Sequence, residues 1–486
     1  MCITQKLLNC SNFQMKNIRK IALFCLLCLY IGGNSLFSQL HWDSLGPRSS
    51  IFHALDPRIM YGDSNYLYMA GEYDKIGGKH FKGIARWNGI KWDSMQAGIN
   101  GLDTFNPIPN VTPLAMATYQ NKLYVGGIFS SLSRVRAYSM GTWDGTRWDS
   151  IPIQPFRNDA DNGVGSLVVI NNKLYMAGIF DTVAGQPGVH DIACWDGAKW
   201  SSLNFPHFSS WQGIYTICEY KGDIYAGGHF AGNNGAIGNI MRLDSTGWHA
   251  VDTGIKGVNA WINCMAVYNG ELYVAGYFYQ SDRNVGNCIQ KWDGTKWSDV
   301  GGGTDYQIFN LTVWNGKLYA VGQLGEAGGI PANSIAEWDG SKWCSLGSNF
   351  DNVINTSCVY KDSLYIGGGF LTIDGDSITY MAEWTGGNYT SNCSQPAGIS
   401  EMNNKGGKVE VYPNPSNGML TLSLTNVNQE CSIKVYSVLG QQVYWSSIDA
   451  NGSAEINLSG QSQGVYLYRV ITETGDLVRE GKIILQ

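Results

Sequence analysis

Leu311-Thr-Val-Trp-Asn-Gly-Lys-Leu-Tyr-Ala-Val-Gly322 and, after a short loop, Ser334-Ile-Ala-Glu-Trp-Asp-Gly-Ser-Lys-Trp-Cys-Ser-Leu346 decide the fold of this chain. Leu311–Trp314 is a short apolar run. Asn315-Gly316 is the strongest two-residue hairpin signal, because both central positions of that turn need positive φ. Lys317–Gly322 then reads as a second strand. The small residues between Glu326 and Asn333 read as a loop, and Ser334–Trp338 as a third strand. Asp339-Gly340 marks another tight turn, and Lys342–Leu346 a fourth strand. Four antiparallel strands in some 40 residues make one blade-like unit.

The unit recurs. Leu/Ile-Tyr-x-x-Gly begins at Leu67, Leu123, Leu174, Ile224, Leu272, Leu318 and Leu364, at spacings of 56, 51, 50, 48, 46 and 46 residues. Some 20 residues after each comes Trp-Asp-Gly-x-x-Trp or a variant of it, at Trp87, Trp143, Trp195, Leu243, Trp292, Trp338 and Trp384. A strand-rich period near 50 is the signature of a repeat architecture. Asn269-Gly270, Lys221-Gly222 and Asn121-Lys122 are expected at the first turn of their units. The fold class is therefore all-β: a seven-bladed β-propeller followed by a small C-terminal β-sandwich. The last unit lacks a clear Trp-x-x-Leu-Gly strand. Trp42-Asp-Ser-Leu-Gly46 offers one with no unit before it, and matches Trp343-Cys-Ser-Leu-Gly347. Trp42–Gly46 is thus expected to complete the seventh blade, since an open ring would leave an unpaired edge.

The repeats resemble kelch-type propeller units. The kelch diglycine stands at Gly126-Gly127, Gly227-Gly228 and Gly367-Gly368. It is replaced by Ala-Gly at Ala70-Gly71, Ala177-Gly178 and Ala275-Gly276, and by Val321-Gly322. The resemblance covers Gln39 to Tyr389. It does not extend to the copper site of galactose oxidase, a kelch-propeller enzyme, whose Tyr, His and cross-linked Cys cannot be placed here.

Composition agrees. Sixty-one of 486 residues are Gly, and charged residues are 15% against a usual quarter or so. Tight turns use the first, and packed blade faces account for the second. The net charge of −6 becomes −10 once Lys6, Lys16, Arg19 and Lys20 are removed with residues 1–38. With no basic run, a nucleic-acid partner is not expected. Met15–Lys20 followed by the apolar Ile21–Ile31 reads as a signal peptide ending near Ser38, too short for a membrane span. No transmembrane segment is expected in the mature chain. Cys25 and Cys28 lie in a run whose apolar residues continue beyond them, unlike a lipoprotein site. Eight cysteines follow, from Cys194 to Cys431, with no CxxC and no spacing common to the units. Small buried apolar residues or disulfides of an oxidising compartment both fit them.

After Tyr389 the pattern stops. Residues 390–407 read as a polar linker. Seven short alternating strands follow between Lys408 and Leu485, the pattern of a small sandwich. Tyr412-Pro413-Asn414-Pro415-Ser-Asn-Gly418, Val435-Tyr-Ser-Val-Leu-Gly440, Ile456-Asn-Leu458, Gly464-Val-Tyr466 and Lys482-Ile-Ile-Leu485 resemble the type A C-terminal sorting domain of the type IX (Por) secretion system. That resemblance implies a sorting motif at Tyr412, Pro413, Asn414, Pro415, Gly418, Gly440, Gly464, Tyr466 and Lys482. It also implies the type IX machinery as a partner, and release outside the cell or display on its surface. The domains are then 1–38 signal peptide, 39–389 propeller, 390–407 linker and 408–486 sorting domain.

Topology puts the first and third connections of each unit on one face of a propeller. The longer second connections and the inter-blade links lie on the other, the expected binding face. The links carry Phe105, Phe156, Trp211, Trp261, Tyr306 and Phe350, expected to rim the channel mouth beside Arg157, Asp159, His207, Asp305 and Asp351. Such a rim suits stacking on sugar rings; packing of the same rings onto blade tops is the competing reading. Trp-Asp-Gly-x-x-Trp is expected to be structural. Asp159-Ala-Asp161-Asn-Gly163 lacks the later Glu of a calcium loop. The seven His show no metal spacing, and no nucleophile motif appears. Hence no catalytic residue, metal or cofactor is expected. Asp-Ser/Thr-apolar triplets at Asp43, Asp93, Asp149, Asp181, Asp362 and Asp376 resemble an O-glycosylation motif of bacteria with type IX secretion; the repeat itself accounts for the first three. The functional expectation is a secreted or surface binding module for glycan or a surface protein. The alternative is a polysaccharide-acting enzyme using Asp159, Asp161, His207 and Asp305.

Overall fold

The computed structural model describes all residues except 1–41, 46–56, 72, 74, 77–78, 101, 104–105, 108–111, 155–162, 187, 207–212, 231–237, 258, 387–392, 394–407, 438–440 and 473–476. The expected signal peptide, most of the linker, Phe105, Phe156, Arg157, Asp159, Asp161, His207, Trp211 and Gly440 lie outside the described residues. Among the described residues no helix is long and apolar enough to cross a membrane.

The protein is all-β. Between Trp42 and Trp384 the described residues form seven four-stranded antiparallel sheets, consistent with a propeller. The sixth is typical: Ile308–Trp314, Lys317–Gly322, Ile335–Trp338 and Trp343–Ser345 pair in chain order. Asn315 and Gly316 take φ of 47° and 71°, the left-handed pair that the hairpin demands. In the second sheet the turn is Gln120-Asn121, with φ of 46° and 61°, one residue earlier than expected. Tyr119 pairs with Lys122, so Lys122 is already in the strand.

The Leu-Tyr dipeptide explains how sheets stack. Its two side chains point to opposite faces of the second strand. The Leu of one sheet shares an apolar cluster with the Tyr of the sheet before it: Leu123 with Tyr68, Leu174 with Tyr124, Leu272 with Tyr225 and Leu364 with Tyr319. Leu67 of the first sheet lies with Tyr365 of the seventh, so the series closes on itself. The first strands follow the same cycle, with Ile354–Tyr360 beside Pro57–Gly62. Each buried Leu of this kind contributes roughly 1.5–3 kcal/mol.

Trp42–Ser44 completes the seventh sheet, as expected. It pairs with Met381–Trp384 in the register Trp42↔Trp384 and Ser44↔Ala382. Trp42 is buried, donates its indole N–H to Ser348 Oγ at 3.1 Å, and meets Trp384 edge-on at 4.8 Å.

Trp-Asp-Gly-x-x-Trp is a turn with a clasp. Its two Trp pair across the turn, ring centroids 5.1 Å apart for Trp143–Trp148 and for Trp292–Trp297. The Asp Oδ1 accepts backbone N–H bonds from the turn: Asp293 from Thr295 at 2.7 Å and Lys296 at 2.9 Å. The Thr295 hydroxyl bond, with these backbone bonds, holds the Asp293 carboxyl down at about 2. The second Trp donates its indole N–H to the sheet before it. Trp148 bonds the Met95 carbonyl at 2.9 Å, Trp248 that of Leu203 at 2.8 Å and Trp343 that of Val300 at 2.7 Å.

A second row of bonds runs the other way. The last residue of a first strand donates to the hairpin turn of the next sheet: Tyr220 to Gly270, Tyr268 to Gly316, Trp314 to Asp362 and Tyr360 to Asn65. Those distances are 3.1, 3.0, 2.9 and 2.9 Å.

Burial pushes the motif phenols Tyr175 and Tyr273 up to about 12. Their folded pKa values exceed the unfolded value of about 10. Their contribution to stability is therefore complete below pH 10 and is lost as pH rises through 12. An alkaline titration followed at the phenolate absorbance is expected to show a group of tyrosines that ionises only together with loss of β-sheet circular dichroism. A single unperturbed titration near pH 10 in the folded protein would contradict this.

The C-terminal residues form two further sheets. Lys408–Tyr412, Met419–Thr425 and Ser453–Asn457 make one. Gln442–Ile448, Cys431–Ser437, Gly464–Thr472 and Leu477–Leu485 make the other. Inward residues of both, among them Leu422, Ile456, Ile433, Val470 and Ile483, share one core. All seven expected strands are present. Cys344 and Cys393 are disulfide-bonded, while the other described cysteines, from Cys194 to Cys431, are free. The spacings alone did not separate the two kinds.

Candidate functional site

Every first strand carries a β-bulge at the same step, near the end that receives the inter-sheet link. The register slips at Arg58, Leu114, Gly165, Tyr215, Asn263, Phe309 and Asn355. Bulges re-aim side chains and are frequent beside active sites. Opposite each bulge stands the Gly of Leu/Ile-Tyr-x-x-Gly. A Cβ there would lie 2.0 Å from the Gly163 carbonyl oxygen at Gly178, 2.1 Å from that of Gly213 at Gly228, and 2.2 Å from that of Trp261 at Gly276. The motif Gly is thus the sequence trace of the bulge. Asn263 Nδ2 donates to the Ile308 carbonyl at 2.8 Å and Asn355 Nδ2 to that of Pro57 at 3.1 Å, so bulged amides also join adjacent sheets.

One step further out, the two strands end in a facing pair whose chemistry changes around the molecule. The pair is Thr112/Ile128 in the second sheet, Gly213/His229 in the fourth and Trp261/Tyr277 in the fifth. In the sixth it is Gln307/Gln323, where the Gln323 N–H donates to the Gln307 carbonyl at 3.1 Å. Aromatic, imidazole and amide groups gather on sheets four to six.

Of the expected aromatic rim, three members are described. Trp261 is the first residue of its strand rather than part of a link. It is half-buried and stacks on Tyr277 at 4.7 Å and 21°. Tyr277 meets Tyr306 edge-on at 5.5 Å and Tyr279 at 5.2 Å. Tyr306 presents 41% of its surface to solvent, and Tyr215, not foreseen, 38%. Phe350 is different: its ring packs against Trp42 at 5.9 Å and Phe370 at 5.4 Å. Burial pushes the Tyr279 hydroxyl well above the usual phenol range, leaving it a neutral donor.

The described carboxylates near the links are engaged in loop structure. Asp305 Oδ1 accepts the N–H groups of Gly325 and Glu326, both at 2.9 Å. Asp351 Oδ1 accepts those of Leu371 and Thr372 at 2.7 and 3.0 Å. Among the described residues no three His, Cys, Asp or Glu gather as a metal cluster would require.

In the C-terminal unit the expected sorting residues laced by Asn414 lie along the last strand. Asn414 Nδ2 donates to the Lys482 carbonyl and its Oδ1 accepts the Ile484 N–H, both at 2.8 Å. The Ser416 N–H donates to the Ile484 carbonyl at 2.9 Å. Both X-Pro bonds, Tyr412-Pro413 and Asn414-Pro415, are cis. Gly418 has φ of 106°, and a Cβ there would sit 2.6 Å from Ser459 Cα. Tyr466 is buried and its hydroxyl donates to the Ser462 carbonyl at 2.7 Å. Gly464 pairs with Leu485. This segment matches, over residues 410–486, the family described as secretion system C-terminal sorting domain. Residues 410–486 are such a sorting domain. The sorting domain marks the chain for type IX secretion, to the cell surface or beyond it, and implies contact with that machinery.

No curated protein matches the chain. Among solved structures, a fungal alcohol oxidase of the AA5 family in complex with copper is 11% identical, with a TM-score of 0.35. The alignment covers 89% of this chain and 96% of that one. The extracellular domain of a protein from B. thetaiotaomicron described as a hybrid two component system is also 11% identical, with a TM-score of 0.27. There the coverage is 88% of this chain and 61% of the other.

Proposed function

We propose that the chain is a seven-bladed, kelch-like propeller, made with a signal peptide over residues 1–38 and exported by its sorting domain. Outside the cell it serves as a non-enzymatic module that binds glycan. The observation that carries the reading is the exposed Tyr306, backed by Tyr277 and Trp261 at the bulged ends of sheets five and six. An aromatic ring that is exposed on one side and buttressed on the other is a rigid platform for the apolar face of a sugar. Trp261, Tyr306 and Tyr215 are its contact residues. Phe350, spent on Trp42 and Phe370, supports the fold instead.

The test is a glycan-array screen of the purified full chain, with turnover of soluble polysaccharides followed in parallel. Binding without turnover is expected, and Tyr306→Ala is expected to weaken it roughly tenfold or more. Equal binding by that variant would remove the aromatic platform from the site. Turnover would promote the enzyme reading, and silence in both assays would leave a surface protein as the ligand.

A further inference from the structure

The amide pair that begins one residue after Tyr306 has a property that the aromatic groups lack. Gln307 Nε2 donates to Gln323 Oε1 at 2.6 Å. The Gln323 backbone N–H bonds the Gln307 carbonyl just beyond the Ile308↔Gly322 rung that ends the sheet, which ties the two residues together. A carboxamide offers one acceptor and two N–H donors. The mutual bond uses one acceptor and one donor. It leaves the Gln307 oxygen as an acceptor and the Gln323 amino group as a donor. Exchanging oxygen and nitrogen in both amides leaves the same complement. Gln307 follows Tyr306 in the chain, and Tyr306 touches Tyr277, which stacks on Trp261. The exposed ring and the paired donor and acceptor are thus carried by consecutive residues, Tyr306 and Gln307.

We infer that the ends of sheets five and six form a subsite for a neutral hexopyranose. Tyr306 takes the apolar ring face, and the Gln307–Gln323 pair takes two vicinal hydroxyls, one accepting and one donating. A vicinal diol is the matching partner, because its hydroxyl oxygens lie close together and each can act in either sense. The ligand is neutral, because Asp305, the residue before Tyr306, repels anions. This inference rests on the carbohydrate reading given above.

The experiment uses the full chain and methyl glycosides of glucose, galactose and mannose, with their monodeoxy analogues and methyl glucuronide, titrated by NMR and calorimetry. At least one neutral glycoside is expected to bind. Gln323→Met, of similar length and without the amide, is expected to weaken it about tenfold, the worth of one to two hydrogen bonds. In the wild type, removing one hydroxyl of the recognised pair should cost about the same. In Gln323→Met, removing the hydroxyl that accepts from the Gln323 amide should cost nothing further, because its partner is already gone. Gln307→Met should behave likewise. Unchanged binding in both variants would overturn the amide subsite and leave the carbohydrate reading standing. Binding of the glucuronide alone would overturn the neutral ligand. No binding of any glycoside would overturn both readings.

Discussion

Gly228→Ala is expected to destabilise the repeat region by about 3 kcal/mol, the upper part of the usual overpacking range. The new Cβ would lie 2.1 Å from the Gly213 carbonyl oxygen, 2.9 Å from Ile214 Cα and 3.0 Å from the Gly213 carbonyl carbon. All three are backbone atoms, so no side chain can rotate aside. Relief requires the first strand to move off its partner, and that strand also contacts the first strands of two neighbouring sheets. Motif glycines in five other sheets meet their facing carbonyl at 2.0 to 2.4 Å, so Gly276→Ala and Gly368→Ala should behave alike. Gly460→Ala, where nothing lies within 4 Å, is the control. Urea midpoints of the four proteins check this. A Gly228→Ala midpoint equal to that of Gly460→Ala would mean that the bulge yields cheaply and that the motif Gly has another cause.

The second large effect is expected at the strand that closes the seventh sheet. Trp42→Ala removes a side chain that is 1% exposed, its edge-on contacts with Trp384 and Phe350, and the partner of Ser348 Oγ. Large aromatic truncations in a core cost about 3–5 kcal/mol. The orphaned hydroxyl adds to that. The three-residue strand has little else to hold it, so its loss would expose the backbone of Met381–Trp384 as an edge. Tm should fall, and the variant should self-associate in size-exclusion runs at high concentration. Ser44→Ala, in the same strand, should leave both unchanged. A Trp42→Ala protein with wild-type midpoint and a monomeric profile would show that closure does not depend on this strand.

Several of these features were legible in the residues alone, and the reason differs in each case. Asn315-Gly316 announces its hairpin because few residue pairs tolerate two left-handed positions. At Gln120-Asn121-Lys122 the same rule slipped by one, since Gln carries no turn signal of its own. Trp42-Asp-Ser-Leu-Gly46 was readable because it copies a strand found in other units. The bulges were not, because Arg58, Leu114, Gly165, Tyr215, Asn263, Phe309 and Asn355 share no side-chain property. Only the Gly across the ladder is constant, and its cause is a distance. The links misled in a similar way. Tyr306 and Phe350 hold similar places in the sequence, yet one faces water and the other meets Trp42, which lies some 300 positions away in the chain. The bonds from Tyr220, Tyr268 and Tyr360 to the next turn were equally invisible, since their acceptors are carbonyls that any residue supplies. At the C-terminus, Asn414 could be recognised as part of a motif. Its work, bridging Lys482 and Ile484, is evident only once the strands are placed.

The pairing of Trp42 with Trp384 gives the chain a test of its own completeness. A nascent or translocating polypeptide that stops just before Met381 has six sheets and two strands of the seventh, but no partner for its earliest strand. Contacts this distant in sequence form late, because long-loop closure must precede any return from them. The seventh sheet therefore reads out whether both termini of the repeat array are present in one molecule. Fragments and frameshifts that lose either terminus of the array fail at the same seam.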